Sequence, residues 1–285
     1  MWFSVAVHAN LERHAFVVGN AEYEHQRWLL ENPYNDAQDM AKALRKLGFK
    51  VHQDKPLLDL TKSQFNKELE DFSSGLPESA LVVVYFAGHG ITWNRENYLI
   101  PVESSISNVN ELAQKAISLR NVLTTLLSYN NTGYNILLLD ACRDTPLQGK
   151  ETNGLIKLNS IPDRTFIGYA ANEGETASDG DGRNGTFTSA LLHSLNKHSH
   201  DAIDVLFRKV SARVKKKTRQ LQNPIADNQI SEEVCFSICK SPSNNKWLYV
   251  VAGAAAIAVA LLAGRDDSQK EIDSSFTLTV VPPNP

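Results

Sequence analysis

Ala80-Leu-Val-Val-Val-Tyr-Phe-Ala-Gly-His-Gly90 and Asn135-Ile-Leu-Leu-Leu-Asp-Ala-Cys-Arg-Asp144 share one plan: an apolar run of strand length that ends in residues able to do chemistry. Runs of this kind, rich in β-branched and large apolar side chains and without polar alternation, fit strands covered on both faces. In an open α/β sheet, ligands and reacting groups gather at the carboxyl ends of such strands. His89 and Cys142 stand at those ends, so the two segments together predict a catalytic Cys–His dyad.

The thiolate is the nucleophilic form of cysteine, and a neighbouring imidazole takes its proton or holds it as an ion pair. Gly88 and Gly90 flank His89 without side chains, which lets a substrate backbone approach and leaves the Gly90 N–H for a developing oxyanion. The Cys142 N–H is the second oxyanion donor in this reading. Taken singly, a cysteine is commonly a small core residue and a histidine a satisfied loop residue. Their pairing at two strand ends is what favours chemistry. Around them, apolar stripes at helical spacing over 35–47, 62–74 and 117–127 alternate with strand-like runs, as in a mostly parallel sheet covered by helices on both faces.

The order His then Cys, 53 residues apart, each after an apolar strand, resembles the caspase-like peptidases. More of the chain is similar to the bacterial caspase and metacaspase branch. His14-Ala-Phe-Val-Val-Gly-Asn-Ala-Glu-Tyr23 looks like the first strand and its loop, and Leu30 to Met40 like the entry to the first helix. Glu96-Asn-Tyr-Leu-Ile-Pro-Val102 looks like the segment after the histidine, and Phe166 to Thr188 like the opening of the smaller, subunit-like half. The resemblance covers residues 13–239. It implies a caspase-like three-layer sandwich with a mostly parallel central sheet, a peptidase domain over 13–240 after an N-terminal extension 1–12, and His89 and Cys142 as the dyad.

One departure sets the expected specificity. Where caspases place Gln and Gly around the nucleophile, this chain has Asp140 and Asp144, and the position of one pocket arginine falls near Asp179. Metacaspases place aspartates in the pocket, which correspond here to Asp140 and Asp36. A pocket of carboxylates rejects an acidic side chain and accepts a basic one. The resemblance therefore implies a protein or peptide substrate with Arg or Lys before the scissile bond. For Asp140 the alternative is a strand-end carboxylate that caps the following turn.

Residues 144–164 read as a long exposed loop at the position of the family's intersubunit linker, with Lys150, Lys157 and Arg164 as candidate autocleavage sites; the alternative is a plain surface loop. Residues 173–182 hold four acids among glycines but lack the alternating ligands and closing glutamate of a calcium loop. No cofactor or metal site is assigned; calcium stays open because some metacaspases depend on it, and a substrate-facing loop is preferred.

With 285 residues, 42% hydrophobic, 21% charged and a net charge of −3, the chain holds one sizeable core and does not have the basic balance of a general nucleic-acid binder. Beyond Cys142 there are two more cysteines. If Glu233 to Cys239 is a strand, Cys235 and Cys239 lie about 13 Å apart and do not bridge, which fits a reducing compartment. Arg208 to Arg219 carries seven basic residues and no acids, over an apolar stripe that marks a helix with a solvated basic face.

After a polar linker, 241–246, residues 247–264 (WLYVVAGAAAIAVALLAG) carry no charge. As a helix they span about 27 Å, near the hydrocarbon thickness of a bilayer, and Trp247 and Tyr249 sit at one end as interfacial aromatics do. A single-pass membrane helix is predicted, with a short tail at 265–285; the alternative is a buried or partner-binding helix. The excess of Lys and Arg on its amino side places the catalytic domain in the cytoplasm, and Met1 to Ala9 does not have the form of a secretory signal. Two further classes stay open: a scaffold on the same fold, and a membrane effector whose hydrophobic segment carries the function with the folded domain as regulator. Nothing in the sequence assigns an oligomeric state.

Overall fold

The computed structural model describes residues 11–103, 106–141, 154–178, 180 and 182–240. All of them belong to one compact unit, Met1–Lys240. Cys142, Lys150, Asp179, the 247–264 segment and the 265–285 tail lie outside the described residues. Among the described residues no helix is long and apolar enough to cross a membrane.

The chain runs β1 (Glu12–Gly19), α1 (Pro33–Lys46), β2 (Lys50–Val51), β3 (Leu57–Leu58), α2 (Lys62–Ser74), β4 (Ala80–Ala87), β5 (Gly90–Trp93), β6 (Glu96–Leu99), α3 (Leu112–Lys115), β7 (Ile117–Ser118), α4 (Leu119–Tyr129), β8 (Tyr134–Asp140), β9 (Thr165–Tyr169), α5 (Thr186–His198), α6 (Ile203–Lys217) and β10 (Ile225–Asn228). Local signals set several boundaries. Pro33 opens α1 where a missing N–H costs nothing, Arg45 and Lys46 complement its negative end, and Gly48 at φ 84° turns the chain into β2. A capping box between Thr61 and Gln64 starts α2.

The main sheet has the order β10-β9-β8-β4-β1-β2, with β3 also on β1. All its pairings are parallel except the edge strand β10, which runs antiparallel to β9. Every residue of β4 and β8 is buried, as expected of strands covered on both faces. Helices α1, α5 and α6 pack together on one face and α2 with α4 on the other, so the mostly parallel three-layer architecture stands. On the α2 face, Phe16 of β1 packs against Phe65, Phe72 and His52. A small antiparallel sheet, β5-β6-β7, sits beyond the end of β4.

Two expectations need correction. Cys235 and Cys239 form a disulfide, with their Cα atoms 5.3 Å apart. The segment is not a strand: Val234 O accepts from Ile203 N, Ser237 N donates to Ser199 O and Lys240 N to His200 O, so the backbone bends around the α5–α6 turn and brings the sulfurs together. The cysteine content therefore no longer argues for a reducing compartment. Part of the expected exposed linker is also packed, while Lys157, Asn159, Ser160 and Asp163 are exposed as expected. Gly154 bridges to Ile91, Leu155 is fully buried, and Asn97 pairs with both the N–H and the carbonyl of Ile156.

Candidate active site

Three parallel strands, β1, β4 and β8, end side by side. The register pairs Gly19 with Ala87 and Ala87 with Asp140. The pairing continues past the strand ends, since Asn20 N donates to Ala87 O at 2.9 Å and Gly88 N to Asp140 O at 3.1 Å. His89 thus leaves β4 beside the point where the chain leaves β8 for Ala141, the residue before Cys142. A Cβ built on Gly90 would lie 2.4 Å from Ala141 O, so the backbones on either side of the predicted dyad touch, and only glycine fits.

His89 is held on several sides and is 2% exposed. Its N–H donates to Tyr23 Oη at 2.8 Å, its carbonyl accepts from Ile100 N at 3.0 Å, and its Nε2 lies 2.8 Å from Trp28 O. A carbonyl only accepts, so Nε2 carries the proton in this contact, and Nδ1 is the basic nitrogen of the neutral ring. The rings of Tyr23 and Trp28 pack on the imidazole at 4.8 and 5.8 Å between centroids.

The loop that supplies those two aromatics is closed by Leu30 N on Ala21 O and pinned by Asp59, whose Oδ1 accepts from Ala21 N and Glu22 N. Asn20, fully buried, accepts from Leu60 N and donates to Ile100 O, which joins the ends of three segments. Tyr23 and Trp28 were not singled out by the sequence reading. The available signal was position: Tyr23 follows β1, the neighbour of β4, within the quoted strand-and-loop motif.

Asp36 and Asp140 converge on the first turn of α5. Asp36 Oδ1 accepts from Gly185 N at 3.0 Å, and Asp140 Oδ2 accepts from Thr188 Oγ at 2.7 Å; both residues are buried. Thr188 also meets Tyr85 Oη at 2.5 Å. Asp36 thus accepts one of the N–H groups that the start of α5 leaves without a partner inside the helix. Asp140 therefore reaches across to α5. The chain before α5 is tied to α1: Arg183 and Asn184 both donate to Asp39. Burial works against ionisation of Asp39, yet these donors hold its carboxyl below the usual range.

The other predicted residues are spread out. Lys157 is half-exposed and 3.8 Å from Asp227. Arg164 is built into the opposite end of the sheet, since its N–H donates to Gln229 O, its carbonyl accepts from Asn135 N, its guanidinium donates to Thr132 O, and it lies over the Tyr134 ring. In the acidic loop, the Glu175 carboxylate accepts from Asn223 N and Nδ2 at 2.6 Å, so it serves to close the loop. Among the described residues the one grouping of three metal-ligand side chains is Glu233, Cys235 and Cys239, and its two sulfurs are bonded to each other.

The family profile described as "Caspase domain" matches residues 12–235. The chain is also 29% identical over 164 residues to human mucosa-associated lymphoid tissue lymphoma translocation protein 1, covering 57% of this chain and 19% of that protein. The mouse homologue matches at the same identity over 164 residues, 18% of its length. The chain thus spans about a fifth of the length of these curated relatives.

Proposed function

The chain belongs to the caspase domain family, and from that premise we propose that it is a cysteine endopeptidase that cuts polypeptides after Arg or Lys. Cys142 attacks the scissile carbonyl carbon as its proton passes to His89 Nδ1. The tetrahedral oxyanion is received by the Gly90 and Cys142 amides. The imidazolium then gives its proton to the departing amine, and the same ring activates the water that releases the acyl group. Trp28 O fixes the ring's tautomer by accepting from Nε2, and Tyr23 fixes its backbone.

The observation that carries the reading is the close approach of Gly90 to Ala141, next to a histidine whose remaining nitrogen is the basic one. The preference for a basic side chain rests on two buried carboxylates, Asp36 and Asp140, at one strand end and one helix start, with Asp179 as a third contributor from the loop before α5. Autoprocessing belongs to this reading at Lys150 or Lys157. Arg164 is dropped, because its backbone and side chain are both committed to the far end of the sheet. Residues 247–264 anchor the enzyme as a single membrane-spanning helix, with the catalytic unit in the cytoplasm.

The test is covalent capture with peptidyl acyloxymethyl ketones ending in Arg, Lys or Asp, followed by intact-mass and peptide mapping. One adduct on Cys142 from the Arg and Lys reagents is expected. Labelling by the Asp reagent alone overturns the specificity, and equal labelling of Cys142→Ala overturns the nucleophile.

A further inference from the structure

The charge of the protein is not evenly spread between its two helix layers. Helices α1, α5 and α6 together hold ten Lys and Arg against three Asp, in a chain whose net charge is −3. The opposite layer, α2 with α4, holds three basic and three acidic residues.

The acids of the basic layer are largely spent. Asp36 is buried against the start of α5, Asp39 is bound by Arg183, and Asp204 by Arg208 at 2.6 Å. Lys197, Arg213, Lys215, Lys216 and Lys217 form no ion pair among the described residues. The exposed His193 imidazole of α5 has its pKa lowered, chiefly by desolvation and further by the neighbouring charges of Arg213, His198 and Lys197.

At the end of α6 the chain turns through Arg219 and Gln220, both at positive φ, and pushes Leu221 into solvent at 78% exposure. A large apolar side chain beside cations that form no ion pair with another described residue is the arrangement of an interfacial membrane contact, where the cations meet anionic headgroups and the apolar group enters the acyl boundary. The exposed large hydrophobic that follows α6 is a leucine and not an aromatic, so it does not offer the stacking platform that single-stranded nucleic acid uses. The same chain carries an uncharged 18-residue run at 247–264.

We propose that the face formed by α1, α5 and α6, centred on Lys215–Lys217 and Leu221, docks on an anionic lipid bilayer. This contact uses neither the hydrophobic segment nor His89, although Lys217 Nζ lies 3.2 Å from where a Cβ on Gly180 would sit, in the acidic loop, and it sets which side of the catalytic unit lies on the membrane.

The described core lies wholly within residues 15–236, so a 1–240 protein keeps it intact and removes the hydrophobic segment from the measurement. Its co-sedimentation is read with vesicles of phosphatidylcholine alone and with added phosphatidylserine, at low and high salt. Binding only to the serine-containing vesicles, weakened by salt, is expected. Each lysine near such a surface contributes about fivefold, so K215Q/K216Q/K217Q weakens binding on the order of a hundredfold, and Leu221→Ser weakens it further at fixed charge. In the full chain, reconstituted in nanodiscs, trypsin is expected to cut after Lys215–Lys217 more slowly when phosphatidylserine is present. Equal binding to both vesicle types, an unaffected triple variant, or tighter binding of the same residues to a DNA duplex overturns the proposal.

Discussion

Replacing Gly90 by Ala is expected to strike the enzyme at the join between its two reactive strands. The new methyl would sit 2.4 Å from Ala141 O and 2.9 Å from both Ala141 Cβ and Leu155 Cδ2, whereas ordinary contact begins at 3.4 Å. The deficit is about 1 Å, and the nearest atom is main chain, so β8 or β5 must move as a piece. Overpacking of this kind costs about 1–3 kcal/mol, or roughly 2–12 °C in Tm for a domain of this size. The effect on chemistry is larger, because the group that moves carries the residue before the nucleophile, and a misplacement of about 1 Å is worth on the order of a hundredfold in rate. The assay pairs kcat/KM on an Arg-ended fluorogenic peptide with the rate of Cys142 alkylation by iodoacetamide. Gly182→Ala, where a methyl meets nothing within 4 Å, is the control. If Gly90→Ala matches wild type in Tm, turnover and alkylation, the two strand ends do not touch as described, and the reasoning fails.

Tyr23→Phe keeps the ring on the imidazole but removes the hydroxyl that accepts His89 N–H, a loss of about 1–3 kcal/mol; kcat should fall about tenfold or more at unchanged KM with a displaced pH–rate profile, and an unchanged kcat would refute the positioning role. Opening the Cys235–Cys239 bridge, by dithiothreitol or Cys239→Ser, releases a short loop whose closure is worth about 2 kcal/mol, so Tm should drop by roughly 4–8 °C, with no drop if the cysteines are reduced in the native protein. The Asp201 carboxyl is held below its usual pKa, chiefly by its hydrogen bond from Lys209, against a partial opposing effect of burial and with further help from Lys240 and His200. Its stabilisation is present above the unfolded pKa of about 3.9 and is lost as pH falls through the lower folded value; Asp201→Asn should lower stability at neutral pH, leave it little changed below both pKa values, and so flatten the acid limb of an unfolding-versus-pH curve.

The strands that carry the chemistry were legible because burial on both faces leaves a plain signature: the run from Ala80 is β4, and the run around Asn135 is β8. Helices with one apolar stripe were equally readable, and 62–74 coincides with α2. What was not legible depended on partners distant in sequence. Trp28 O and Tyr23 Oη reach His89 only because β1 lies beside β4, and Thr188 meets Asp140 only once α5 starts beneath the strand ends. Cys235 and Cys239 misled for the same reason: their alternating pattern reads as a strand, but the hydrogen-bond partners of that segment are in the α5–α6 turn, and they bend it. Arg164 looked like an exposed loop residue, while its backbone completes the start of β8 and its guanidinium covers Tyr134.

The most direct test is turnover of a matched fluorogenic peptide panel, with Arg, Lys or Asp before the scissile bond, by wild type, Cys142→Ala and His89→Ala. Cleavage after Arg and Lys by the wild type, with both variants silent and Asp untouched, is the predicted result. Cleavage solely after Asp, or activity that survives loss of the thiol, would contradict the account.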